Sequence, residues 1–62
     1  MPDRQVIMSA RGDAAHIELV LDAEVLYLAR NGERLPDAAW PAGEVEQAAD
    51  AFHRLMKSEG LG

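Results

Sequence analysis

Cysteine is absent from this 62-residue chain, so neither a disulfide framework nor a cysteine-based zinc site can hold it together. Aromatic residues are scarce: Tyr27, Trp40 and Phe52 each stand alone of their kind. Basic residues are few, 6 against 11 acidic, for a net charge of −5. That balance argues against direct contact with nucleic acid phosphates, which is driven by lysine and arginine. The longest hydrophobic run is Val25–Ala29, far short of the roughly 20 residues that span a bilayer, so no membrane contact is expected. Met1–Ala10 lacks the basic start and long apolar stretch of a secretory leader. The expected location is therefore cytoplasmic.

What is present describes one folded domain, residues 1–62. Hydrophobic residues make up 48% of the chain and charged residues 27%, a balance of folded rather than disordered proteins. A chain this short buries only about 60% of its unfolded surface, so leftover apolar surface invites a partner.

The clearest periodicity lies near the C-terminus. Val45, Ala48, Ala49, Phe52, Leu55 and Met56 fall on one helical face, and Glu44, Gln47, Asp50, Arg54 and Lys57 on the other. A helix over about 41–59 is expected, with Pro41 in its first turn. Gly60 suits the left-handed position after the last turn, with Leu61 folding back on Leu55 or Met56.

The first half reads as strands over about 5–35. Asn31-Gly32 between two apolar runs is a strong hairpin signal, with weaker turns at Gly12-Asp13 and Asp22-Ala23. These turns set Met8 opposite Ile17, Val6 opposite Leu19, Leu19 opposite Leu26, Ile17 opposite Leu28, and Leu28 opposite Leu35. All three place Val6, Met8, Ile17, Leu19, Leu21, Leu26, Leu28 and Leu35 on one face, where a one-residue slip would scatter them. Val45, Phe52, Leu55 and Met56 would cover that face, with Trp40 at the corner. The expected fold is α+β, a small antiparallel meander of three to four strands packed on one C-terminal helix. The competing pattern, a single helix from Asp13 to Arg30, would spread Leu19, Val25, Leu26 and Tyr27 around its cylinder.

Catalytic and cofactor motifs are not apparent. Arg11-Gly12-Asp13 has the chemistry of a tight turn. His16 and His53 lack a second ligand at a recognisable spacing, so a metal-binding protein or small enzyme built on them is the least favoured reading. Ser9 and Ser58 lie in no nucleophile elbow, and no glycine-rich turn could cradle phosphate. No cofactor and no bound metal are expected.

The informative features are the outer sheet face and the acids. Ile7, Val20, Val25 and Tyr27 point away from the helix, among Ser9, Glu18, Asp22, Ala29 and Arg34, so a face that should be polar is half apolar. Glu18 and Asp22 share a strand face about 13 Å apart. Glu46 and Asp50 stand one helical turn apart, about 6 Å. Glu24, Glu33 and Asp37 lie near hairpin ends. Acids so spaced can imitate a nucleic acid backbone.

The expected function is a non-enzymatic module that docks on the basic, nucleic-acid-binding site of a protein partner. Its expected contact residues are Ile7, Glu18, Val20, Asp22, Glu24, Val25, Tyr27, Glu46 and Asp50. In size, charge and expected architecture alone, the chain resembles small acidic inhibitors encoded by phages, some anti-CRISPR proteins among them. Five arginines to one lysine, with many alanines, fit a GC-rich bacterial or phage genome. The alternative is a small homodimer of structural or regulatory role, joined through the outer sheet face.

Overall fold

The computed structural model describes residues 4–61. Four strands, β1 (Gln5–Arg11), β2 (His16–Asp22), β3 (Val25–Arg30) and β4 (Glu33–Pro41), are followed by a 3-10 turn (Ala42–Glu44) and helix α1 (Val45–Ser58). The strands form one antiparallel sheet in the order β1-β2-β3-β4, each pairing with its neighbours in sequence. The architecture is therefore α+β, a meander backed by a C-terminal helix. The single helix over Asp13–Arg30 is not formed, because Leu19 and Leu26 are buried only when this segment folds back on itself.

One side of the sheet carries the main core. Ile17, Leu19, Leu26 and Leu28 are buried against Ala48 and Phe52 of α1, with Met8, Ala10, Leu21, Leu35, Trp40, Leu55, Met56 and Leu61 packed around them. Val45 stands apart from this core at 44% exposed, because it lies in the first turn of α1, at the margin of the sheet.

The registers differ from the sequence-based pairings, mostly without changing faces. The β2–β3 turn is Ala23-Glu24, not Asp22-Ala23, which sets Leu19 opposite Leu28 and Leu21 opposite Leu26. Ile17 lies opposite Arg30 rather than Leu28. The β1–β2 connection is wider than Gly12-Asp13 alone and leaves Arg11 opposite His16, so Met8 meets Leu19 rather than Ile17. Each shift is by two residues, and a shift of two preserves which side chains point inward.

Val6 is the exception. The register slips between Val6 and Met8, so Val6 pairs with Val20 on the outer side rather than with Leu19 on the inner one. One extra residue in a strand reverses the face of everything before it.

The fourth strand also runs further than expected, to Pro41 instead of Leu35. Its pairing with β3 is interrupted between Ala29↔Arg34 and Tyr27↔Ala39, and the excess chain holds Pro36 and Asp37, both exposed. Proline is tolerated there because β4 is an edge strand with no further neighbour to receive its missing N–H. Leu35 and Ala38 return to the core on either side of the bulge, and Trp40 pairs with Leu26 at the corner.

The helix ends as its sequence predicts. Gly60 has φ 74°, its N–H donates to the Lys57 carbonyl at 3.1 Å, and the Leu61 N–H donates to the Met56 carbonyl at 2.8 Å. This pair of bonds is the Schellman motif, and it turns Leu61 back onto the core. Glu59 reaches Arg30 of β3 in a 3.0 Å ion pair, tying the helix end to the sheet.

Candidate binding face

The outer face of the sheet is built from rows that cross all four strands. The central row is Val6–Val20–Tyr27–Ala39, flanked by Ser9–Glu18–Ala29–Arg34 on one side and by Asp22, Val25 and Pro41 on the other. The sequence places these side chains outward because they alternate with the core residues along each strand.

The centre of this face is closed. Val20 is fully buried and Tyr27 only 8% exposed, although no helix covers them. Their neighbours do. Val20 sits between Val6 and Tyr27 in its row, and the Arg34 guanidinium lies 4.6 Å from the centroid of the Tyr27 ring. Arg34 is diagonal to Tyr27 across β3 and β4, a spacing a long side chain can bridge. Tyr27 thus forms part of a small second core with Val20 and Ala29.

Apolar exposure persists at the border of this face. Val6 (46%), Ile7 (41%) and Val25 (37%) are all exposed, the first two on β1 and the third beside the β2–β3 turn.

The candidate acids separate into two groups. Glu18 and Asp22 lie on the outer face, and Glu24 lies in the turn that follows. Glu46 and Asp50 lie on the side of α1 turned away from its buried residues, Ala48 and Phe52, and so on the opposite side of the molecule from the outer sheet face. Asp50 is also engaged by Arg54 at 3.2 Å, one helical turn on. The β2–β3 turn reaches the start of the helical region, where the Ala42 N–H donates to the Glu24 carbonyl at 3.0 Å. Asp22 and Glu24 therefore share one end of the molecule with the exposed acids Glu44 and Glu46, and Arg4, preceding β1, is the base at that end among the described residues.

Sequence reasoning missed the backbone of that turn. Ala23 (φ 49°) and Glu24 (φ 67°) both adopt left-handed conformations that favour glycine or asparagine. Neither residue type signals such a turn, so only the register reveals it.

Other candidates remain dispersed. His16 is half-buried at the start of β2, and His53 is exposed on α1 with its ring edge-on to Phe52 at 5.9 Å. Among the described residues no group of three or more His, Asp or Glu side chains is placed to hold a metal. A groove of about 440 Å³ lies between Arg11–Ala14 and Glu59–Leu61, open to solvent. No helix among the described residues is long and apolar enough to cross a membrane. Compared with protein-family models, curated proteins and solved structures, the chain matches none.

Proposed function

We propose that this protein is a non-enzymatic binding module that docks on a basic, nucleic-acid-binding site of another protein and blocks it. The observation that carries this reading is the meeting, at one border of the outer face, of exposed Val25 with the exposed carboxylates of Asp22 and Glu24. An apolar contact beside acids that make no ion pair with another described residue suits a partner whose lysines and arginines normally hold phosphate. Glu18 extends the acidic border along β2, and Glu44 and Glu46 extend it toward the helix. Charge would steer the encounter, and Val25 would slow dissociation. A phage-borne inhibitor is the setting such a module would serve, acting inside a bacterial cell.

The test is capture of partners from a bacterial lysate at low and at high salt, with the captured protein then challenged with its nucleic acid. A basic nucleic-acid-binding protein should be retained at low salt, released at high salt, and unable to hold its nucleic acid while bound. Asp22→Lys with Glu24→Lys should abolish capture while leaving the fold unchanged by circular dichroism. Capture of the same proteins by this double variant would refute the reading.

A further inference from the structure

We infer that β1 is an edge on which a second copy of this chain docks, the two β1 strands pairing antiparallel so that two four-stranded sheets join into one of eight. The sheet order leaves two open edges, β1 and β4. Open edges expose unpaired backbone N–H and C=O groups and are templates for another strand unless something blocks them. The β4 edge is blocked. Pro36 offers no N–H, Asp37 is exposed beside it, the register is broken between Tyr27 and Ala29 of its neighbour, and a second proline, Pro41, ends the strand. The β1 edge has little of this protection. Gln5–Ala10 contains no charge and no proline, and it carries Val6 and Ile7, two of the four exposed large hydrophobic residues among those described. Its bulge falls at Ile7, in the first half of the strand, and Met8–Arg11 pairs one-for-one with β2.

The strand is complementary to itself, which selects a second copy as its occupant. Pairing centred on Ser9 sets Met8 opposite Ala10 of the partner subunit, both on the core side of their sheets. The same pairing sets Ile7 opposite Arg11 of the partner subunit, whose aliphatic stem can cover it while the guanidinium stays in water. No like charges fall directly opposite one another.

Electrostatics favours the same border. The net charge of −5 opposes self-association, but among the described residues the charged ones in and beside β1 are Arg4, Arg11 and Asp13, the least acidic margin of the sheet. The nearest outer-face acid, Glu18, sits one strand in, so the two copies of Glu18 would be three strand spacings apart, about 14 Å, beyond the screening length at physiological salt. Edge pairing leaves the outer face open, so this inference is independent of the acidic docking reading. An edge contact buries less area than a standard interface, so the dimer is a weak one, assembled at high micromolar concentration.

Sedimentation equilibrium from low micromolar to near-millimolar concentration tests this. The mass of the wild-type protein should rise toward twice its monomer value, and amide exchange in β1 should slow with concentration. Ile7→Lys and Ser9→Lys, both at exposed positions, should keep the fold by circular dichroism and remain monomeric throughout. Val25→Lys, on the far side of the outer face, should dimerise like the wild type. A wild-type protein that stays monomeric to near-millimolar concentration overturns the inference. So does a dimer that survives both β1 substitutions but is lost in Val25→Lys, since the face rather than the edge would then be the contact.

Discussion

Asn31 holds His16 from two sides: its backbone N–H donates to the His16 carbonyl at 2.7 Å, and its side-chain Oδ1 accepts the His16 N–H at 2.9 Å. The turn between β3 and β4 thereby carries the β2–β3 pairing one step past Ile17↔Arg30 and fastens the start of β2 to its neighbour. Asn31 itself has φ 53°, a conformation asparagine tolerates better than most residues. One residue serves turn geometry and strand pairing together.

Asn31→Ala should therefore destabilise the fold by about 1–2 kcal/mol, combining a lost hydrogen bond with left-handed strain. Urea unfolding should show a lower midpoint with an unchanged slope, because the surface exposed on unfolding is the same. Asn31→Gly, free of the strain, should lose less than Asn31→Ala.

The β2–β3 turn offers the opposite opportunity. Ala23→Asn with Glu24→Gly would give this turn the residues its left-handed geometry prefers, and should raise stability by about 1 kcal/mol. The same pair removes one of the acids proposed to meet the partner. Thermal midpoint and capture efficiency should then move in opposite directions, separating the turn's structural role from its role in docking.

Arg34 and Tyr27 should couple. Arg34→Ala should cost about 0.5–1 kcal/mol, the usual range for a cation that stays in contact with solvent while it covers a ring. In a Tyr27→Phe background the loss should persist, since the ring remains. In a Tyr27→Leu background it should largely vanish, which a double-mutant cycle measures directly.

At Gly12 a side chain meets a neighbour. A Cβ added there would overlap Cδ2 of Leu61, the residue folded back by the helix cap. Gly12→Ala should cost less than about 1 kcal/mol, because the atom it meets is the tip of a half-buried leucine that can turn aside. Combining it with Leu61→Ala should cost less than the sum of the two single changes, as read from urea midpoints.

Phe52 anchors the helix at 2% exposed, against Ile17, Leu19 and Leu26. Phe52→Ala should cost about 3–5 kcal/mol. For a domain this small that is most of its stability, so the cooperative thermal transition should be lost or fall close to room temperature.

The amino-acid sequence by itself determined the element types and which faces meet. The 3.6-residue spacing from Ala48 to Met56 can bury only one helical face, Asn31-Gly32 can hardly be anything but a tight hairpin, and Gly60 with Leu61 writes the helix cap in residue chemistry alone. The inward set Met8, Ile17, Leu19, Leu21, Leu26, Leu28 and Leu35 was legible too, because register errors of two residues leave strand faces unchanged. Tertiary structure decided the rest. The bulge that turns Val6 outward and the excess chain at Pro36 that carries β4 on to Pro41 are set by pairing with β2 and β3, not by any local signal. The burial of Val20 and Tyr27 on a face without a helix likewise depends on neighbours that only the folded sheet brings across from other strands, Val6 from β1 and Arg34 from β4. Alternation along a strand says which way a side chain points, whereas what it meets there is fixed by residues remote in the chain.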